Sequence, residues 1–266
     1  MRRLARGVDD GYHSRLVPGL RSSDEAERLA QELAFAAERL TKLATEPPGL
    51  YAEVAGAGGD LEERTWLAFL IAYLGPLETE DPFAAIEGVR ISWASGEQPP
   101  LEGVETGVRS AHDPRRGART LDAYRAWAQR GGSQAAAFTG EPTWSAERRF
   151  ARTFERLALP GFHRDARFEL LVSLGRLGVY ELRAGTLQLG GDNPVTIACK
   201  RALGIGDALL LERRAAELAQ ECALPLDALD LGLYNWGRGE RASIGLGPGT
   251  EPDPAAHAAA RAALGL

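Results

Sequence analysis

ALPGFHRDARF, residues Ala158 to Phe168, contains the strongest fold signal in the sequence. Pro160 and Gly161 interrupt the helical pattern before them, because proline lacks a backbone donor and glycine readily adopts the left-handed conformations that turns use. An apolar helix is predicted from Phe168 to Leu177, on the far side of the turn. A helix, a Leu-Pro-Gly turn and a second helix together predict a helical hairpin.

The pattern around this hairpin is helical nearly throughout the chain. Before it, Phe150, Phe154 and Leu157 recur with helical spacing, and Ser145 is a good N-cap for that helix. After it, Val179 to Leu189 alternates weakly and predicts a small β-hairpin. Further helices are predicted from apolar stripes and capping residues at Ser23 to Leu43, Leu61 to Leu74, Leu121 to Gln129, Gln134 to Phe138, Asn193 to Leu203, Asp207 to Cys222, Pro225 to Trp236 and Ala255 to Ala263. The predicted fold class is all-α with one small β element.

The composition is that of an ordinary soluble globular protein with an acidic balance. The chain has 266 residues, 44% hydrophobic content and a net charge of −6. This balance argues against broad nonspecific nucleic-acid binding, which depends on phosphate neutralisation by Lys and Arg, but it leaves room for a local basic face. Met1 to Leu20 lacks the apolar core of a secretory signal, and the longest apolar stretch, Trp66 to Leu74, is too short to cross a bilayer. We therefore expect no membrane partner.

Metal and disulfide chemistry find little support in the sequence. The two cysteines, Cys199 and Cys222, cannot build a disulfide framework or a four-cysteine metal site. The four histidines are scattered and lack ligand spacing. We expect a reduced, cytoplasmic protein with no metal and no cofactor.

A wider arrangement around the hairpin resembles a known family. Leu159-Pro160-Gly161 is followed by a loop, an apolar helix, and then Gly190-Gly191-Asp192 opening a helix that carries Lys200-Arg201. This order resembles the helix-hairpin-helix superfamily of DNA glycosylases, in which a Leu-Pro-Gly-x-Gly hairpin grips a phosphate through backbone N–H groups. Asp192 and Arg201 keep the family's spacing between an aspartate at a helix start and an arginine about nine positions beyond it. The resemblance implies two helical lobes with a cleft between them.

The resemblance covers roughly Leu61 to Trp236, apart from a long Gly- and Pro-rich loop or insertion at Gly96 to Gly117. The helix ending at Leu74, with the Gly75-Pro76-Leu77 loop after it, is similar to the family's early helix and its duplex-probing loop. The resemblance implies three segments: residues 1–60 as a helical extension contributing to one lobe, 61–236 as the glycosylase-like region, and 237–266 as a linker with a short helix.

Asp192 is the candidate catalytic residue. Glycosidic cleavage builds positive charge on the sugar, and a fixed carboxylate stabilises that oxocarbenium ion. A helix N-terminus keeps such an aspartate ionised, because the macrodipole and the backbone donors favour the anion. The alternative is structural, since aspartate is a preferred N-cap whether or not any chemistry occurs, and Asp192 is predicted to cap the helix from Asn193.

The hairpin departs from the family pattern at two positions. The family's second hairpin glycine falls on His163, whose side chain obstructs close approach of the backbone to a phosphate. Bifunctional members place a nucleophilic lysine where Asp165 stands, and a carboxylate cannot form an imine. The iron–sulfur cysteines of one branch are absent. The resemblance therefore implies a monofunctional enzyme without lyase activity.

Candidate binding residues follow from the same resemblance and from charge. The DNA-binding candidates are Gly161, His163, Arg164, Arg167, Leu77, Lys200 and Arg201, with Leu77 as a wedge for the gap that a flipped base leaves. The base-pocket candidates are Trp66, Tyr73 and Trp236, although each lies on an apolar stripe where core packing is the alternative. The helix before the hairpin carries four arginines, Arg148, Arg149, Arg152 and Arg156. They form either a basic face for a DNA backbone or a solvated surface whose charges pair with Glu147 and Glu155.

Two functional hypotheses follow. In the first, the chain is a monomeric DNA base-excising or base-modifying enzyme that acts on a flipped nucleotide, with Asp192 beside the sugar cation. In the second, it is a non-catalytic helical protein that keeps the fold without strong DNA binding. The first hypothesis is the leading one, and the acidic balance, His163 and Asp165 support the second.

Overall fold

A computed structural model describes residues 8–247 and 249–266, which form helices and no β-strand. The α-helices are α1 Ser23–Thr45, α2 Leu50–Ala55, α3 Leu61–Leu74, α4 Ala84–Val89, α5 Gly117–Arg130, α6 Gln134–Thr139, α7 Ala146–Arg156, α8 Arg164–Arg176, α9 Pro194–Leu203, α10 Ala208–Glu221, α11 Leu226–Arg238 and α12 Pro254–Leu264. The all-α fold class is confirmed. Residues 1–7, part of the stretch in which no secretory signal was predicted, and Pro248 of the predicted linker lie outside the described residues.

The small β-hairpin predicted at Val179 to Leu189 is wrong. The N–H groups of Leu187 and Leu189 donate to the Glu212 carboxylate, at 2.9 and 2.6 Å, where a ladder would need a backbone carbonyl. At the start of the segment, the Val179 N–H donates to the carbonyl of Leu174 in α8, at 3.0 Å. Because side chains and a helix end satisfy these donors, the segment is a loop.

Helix α8 begins at Arg164, four residues before the predicted start at Phe168. His163 is its N-cap and has extended backbone geometry. Phe162 and Ala166 on either side of this start are buried, so core packing extends the helix toward the turn. Asp165 therefore lies in the first helical turn and not in a loop.

The chain divides into two compact units, each made of separate segments. The first comprises the described residues of Met1–Thr41, Thr186–Arg241 and Thr250–Leu266, and the second comprises Lys42–Gly185 with those of Ala242–Gly249. In the first unit α9 packs along α11, and Val195, Leu203 and Leu229 are among the side chains buried there. Within the described residues, no helix has the length and apolar character needed to cross a membrane.

Helix α3 is the centre of the second unit. Every residue from Thr65 to Leu74 is buried, as a helix that is apolar on most sides requires. Asp60 caps it by accepting from the N–H groups of Glu62 and Glu63. The Phe69 ring stacks on Tyr124 with 3.7 Å between ring centroids, which ties α3 to α5. The prediction of a central helix at Leu61 to Leu74 is confirmed.

Candidate functional site

Asp192 does not cap helix α9, which corrects the sequence prediction. Asn193 is the N-cap, and its Oδ1 accepts from the Thr196 N–H at 2.9 Å. Its Nδ2 also donates to the Gly190 carbonyl at 2.6 Å and to Thr196 Oγ1 at 2.9 Å. An aspartate at this position could not make the last two bonds, because a carboxylate has no donor.

The Asp192 side chain is exposed immediately before this cap. In the part of the chain that the structure describes, its carboxylate makes no hydrogen bond and no ion pair. Asp207 and Asp253, by contrast, accept from backbone N–H groups at the starts of α10 and α12. The N-terminus of α9 therefore has a carboxylate beside it that the fold does not use.

Lys200 and Arg201 follow Asp192 on α9 but have different environments. The Arg201 guanidinium forms an ion pair with Glu25 and lies 4.6 Å from the ring centroid of Trp236. The Trp236 indole is buried and donates to the Glu25 carbonyl at 3.0 Å. Arg201 and Trp236 thus form one internal cluster of the first unit. Lys200 is half-buried and, among the described residues, has no ion-pair partner.

The Leu-Pro-Gly turn is present, and α5 packs against its glycine. Gly161 has φ of 79°, a conformation that favours glycine, and a Cβ atom there would overlap Thr120 Oγ1. The Thr120 hydroxyl donates to the Pro160 carbonyl at 2.8 Å. Phe162 is buried, with its ring 5.2 Å from that of Phe69. The core of the second unit therefore accounts for the turn.

The two hairpin arginines have internal partners. Arg164 is buried, pairs with Asp165 at 3.1 Å and lies 4.5 Å from the ring centroid of Phe168. Arg167 donates to the Phe154 carbonyl at 3.1 Å and covers the Phe154 ring at 4.3 Å. Burial lowers the pKa of the Arg167 guanidinium. His163 is exposed, and its side chain does not cap α8.

The structure places Leu77, Trp66 and Tyr73 in the second unit. Leu77 is half-buried, and its N–H donates to the Pro82 carbonyl at 2.8 Å.

The buried Trp66 indole donates to the Ile91 carbonyl at 2.9 Å, and its ring stacks on Phe69. Tyr73 is buried, its hydroxyl lies 3.0 Å from His112 Nδ1, and burial raises the pKa of that hydroxyl to about 12. A base could stack on Trp66 or Tyr73 only after their neighbours moved away.

The arginines of α7 divide into three environments that the sequence did not distinguish. Arg149 is buried and donates to carbonyls of Thr139 and Glu181, at 2.6 and 2.9 Å. Arg152 pairs with Glu155 at 3.0 Å. Arg148 and Arg156 lie over the ring of Trp144, which was not among the predicted site residues. The signal that could have found it is the four-residue spacing from Trp144 to Arg148, which is the spacing of side chains that meet on a helix.

Comparisons with protein-family models, curated proteins and solved structures find no match to this chain. Among the described residues, no group of three His, Cys, Asp or Glu side chains could hold a metal ion. Neither cysteine forms a disulfide with another described residue, both are buried, and burial raises the pKa of the Cys222 thiol to about 11. The functional assignment therefore depends on the chain's own residues.

Proposed function

We propose that this protein is a DNA base-excising or base-modifying enzyme that acts on a flipped nucleotide, with Asp192 as its catalytic carboxylate. The observation that supports this role is the exposed Asp192 side chain, which has no partner among the described residues while Asn193 caps the helix. Capping was the structural explanation for an aspartate at this position, and Asn193 removes it. The order of hairpin, aspartate and arginine then supplies the reaction class.

In this reaction the bond between C1′ of the sugar and the base nitrogen breaks, and its electron pair leaves with the base. Positive charge develops on the sugar, and the Asp192 carboxylate stabilises it electrostatically. Water or another nucleophile then adds at C1′, and water loses a proton as it does so. The N-terminus of α9 favours the ionised form of Asp192 that this role requires.

Schiff-base chemistry is not part of the proposed function. The chain has two lysines, Lys42 and Lys200, and neither lies in the hairpin. Asp165, at the position where the resemblance would place a nucleophilic lysine, is paired with Arg164. A carboxylate held in this way cannot form an imine, so the proposed enzyme is monofunctional.

A second candidate function, a non-catalytic helical protein, is favoured by the hairpin itself. Arg164 and Arg167 have protein partners, and Thr120 occupies the space beside Gly161. Because these arginines bond to protein groups and the glycine packs against Thr120, the hairpin has few groups left to bind a phosphate. In this alternative the hairpin is part of the scaffold, and Asp192 has no chemical role.

Asp192→Asn distinguishes the two candidates when purified protein is incubated with oligonucleotides that carry varied modified bases. We expect the wild-type protein to form a strand with an abasic site or an exchanged base. The variant should form this product at least about 100-fold more slowly, as when one preorganised electrostatic group is lost. Asp207→Asn, at the cap of α10, is the matched control and should keep the wild-type rate.

Equal rates for Asp192→Asn and the wild-type protein would contradict the catalytic role. If the wild-type protein forms no product with any oligonucleotide of the series, the non-catalytic candidate is supported. Product should be measured after alkaline cleavage of abasic sites and by mass spectrometry of the intact strand, so that both excision and modification are detected.

A further inference from the structure

A cavity in the second unit combines an apolar floor with two arginines and no carboxylate. Its volume is about 400 Å³, and it is lined by Trp127, Arg130, Gly131, Ala137 and Arg156. Cavities of this size hold small ligands or parts of larger ones. Trp127 and Ala137 are buried and present apolar surface, whereas Arg130 and Arg156 are exposed and end helices α5 and α7.

Trp144 contacts two arginines, one of which, Arg156, also lines this cavity. The Arg156 guanidinium lies 5.3 Å and the Arg148 guanidinium 5.8 Å from its ring centroid. The tryptophan is held in position by buried Arg149, which donates to the Trp144 carbonyl at 3.3 Å and to the Thr139 carbonyl at 2.6 Å. A ring with a fixed position thus orients two cations, which reduces the side-chain freedom that a ligand would otherwise have to remove.

We call Arg130, Arg148 and Arg156 the arginine cluster. In the described part of the chain, none of the three has a carboxylate within ion-pair distance. Other exposed arginines of the same unit do, including Arg90 with Glu53 at 2.9 Å and Arg183 with Glu147. Arg156 links the three, because it lines the cavity with Arg130 and contacts Trp144 with Arg148. In a chain with a net charge of −6, three such cations with no counter-ion among the described residues are a local departure from the overall balance.

Helix dipoles explain part of this cluster but not all of it. Arg130 and Arg156 lie in the last turns of α5 and α7. The helix dipole places about half a negative charge at each of these ends, which favours a cation there. Two such ends offset roughly one of the three positive charges. Arg148 lies in the first turn of α7, where a cation is disfavoured, so the dipole gives no reason for its position. The cluster keeps a net positive charge.

We propose that the arginine cluster is a binding site for the phosphate groups of a nucleotide or a nucleic-acid strand. Guanidinium groups bind phosphate oxygens through paired N–H donors, and an apolar floor of Trp127 and Ala137 suits the ring or sugar next to a phosphate. The assignment to a DNA strand rests on the proposed function, whereas the phosphate chemistry rests on the cluster alone. On this basis the DNA contact of the second unit is made by α5 and α7, and not by the internally bonded Arg164 and Arg167.

The test is fluorescence anisotropy with three labelled probes: a DNA duplex, a single strand and a deoxynucleoside monophosphate, each measured directly for binding. The variant is Arg130→Gln/Arg156→Gln. The matched control is Arg90→Gln/Arg183→Gln, which removes the same charge from exposed, ion-paired arginines of the same unit. Thermal melting of both variants should show wild-type folding, because all four side chains are exposed.

We expect the cluster variant to bind DNA about 10-fold more weakly, with the slope of log K against log salt shallower by about 2, while the control stays close to wild type. Asp192→Asn should bind like the wild-type protein and lose only product formation. Equal binding by the cluster variant and its control would overturn the phosphate site and leave the Asp192 proposal standing.

The other outcomes also decide between the proposals. If the monophosphate binds through the cluster and DNA does not bind, the site is confirmed for a free nucleotide and the proposed DNA function is contradicted. Cluster-dependent DNA binding without Asp192-dependent product supports the site and contradicts the catalytic role. No binding of any probe by the wild-type protein at low salt would overturn the phosphate site.

Discussion

At the scale of single residues, Asp192 and Asn193 show how two adjacent polar side chains divide their roles. Asn193 accepts one hydrogen bond and donates two, so its amide links the start of α9 to both Thr196 and Gly190. An aspartate could replace only the accepting bond. The fold therefore explains the residue at 193, and among the described residues it gives the carboxylate at 192 no structural partner.

Stability measurements should separate the two residues. Asn193→Ala removes a cap and should lower the free energy of unfolding by about 1 kcal/mol, as Asp207→Ala should at α10. Asp192→Ala removes an exposed side chain without partners among the described residues and should cost less than about 0.5 kcal/mol. Urea denaturation followed by circular dichroism measures all three. A loss for Asp192→Ala as large as that for Asn193→Ala would show that position 192 is structural.

At the scale of elements, the turn between α7 and α8 shows why a family-like hairpin need not contact DNA. Gly161 is required by its φ of 79° and by the closeness of Thr120 on α5. The helix after the turn starts early enough to pair Arg164 with Asp165. Each feature that would suggest a phosphate grip in the sequence has a packing explanation in the structure.

This packing can be tested with two glycines. Gly161→Ala introduces both a strained left-handed alanine, at about 1–2 kcal/mol, and an overlap with Thr120 of about 1–3 kcal/mol. Gly178→Ala is the matched control, because Gly178 has φ of 68° but a Cβ atom added there would meet none of the described residues within 4 Å. We expect Gly161→Ala to be the more destabilising by at least about 1 kcal/mol in urea denaturation. Equal losses would mean that strain alone accounts for Gly161.

At the scale of the whole molecule, the pH dependence of stability follows from groups that folding moves out of water. His112 lies in the second unit beside the Tyr73 hydroxyl, and its buried Nε2 has no hydrogen-bond partner among the described residues. Burial lowers the pKa of His112 below its usual 6.5, and the nearby Asp113 opposes the shift only in part. The folded protein therefore binds a proton at His112 less readily than the unfolded chain does.

Stability should accordingly fall as the pH falls. The contribution of neutral His112 is fully present above pH 6.5 and is lost as the pH decreases toward the lower folded pKa, because the unfolded state then binds more protons. Between about pH 7.5 and 5.5 the wild-type protein should lose stability, and His112→Gln should lose measurably less. Urea denaturation at several pH values provides the comparison. Identical slopes for the two proteins would exclude His112 as the source.

Much of the fold follows from local sequence signals. The predicted bounds of α3 are those observed, and Ser145 and Asp207 cap the helices they were expected to cap. Helices α2 and α4 were missed because six residues between turns carry too little periodicity to be detected. The β-hairpin was predicted from weak alternation, and only the structure shows that Glu212 satisfies the donors that a strand would have used.

The all-α class, most helix positions and the Leu-Pro-Gly turn can be predicted from the sequence alone, because apolar spacing, capping residues, proline and glycine act over a few neighbouring residues. The pairing of the charged side chains is seen only in the folded protein. Arg149 reaches Glu181 and Arg201 reaches Glu25, whereas Arg130 and Arg156, at the ends of different helices, line one cavity. An arginine's partner depends on residues brought close by packing, often far apart in the chain, so its role is settled in three dimensions.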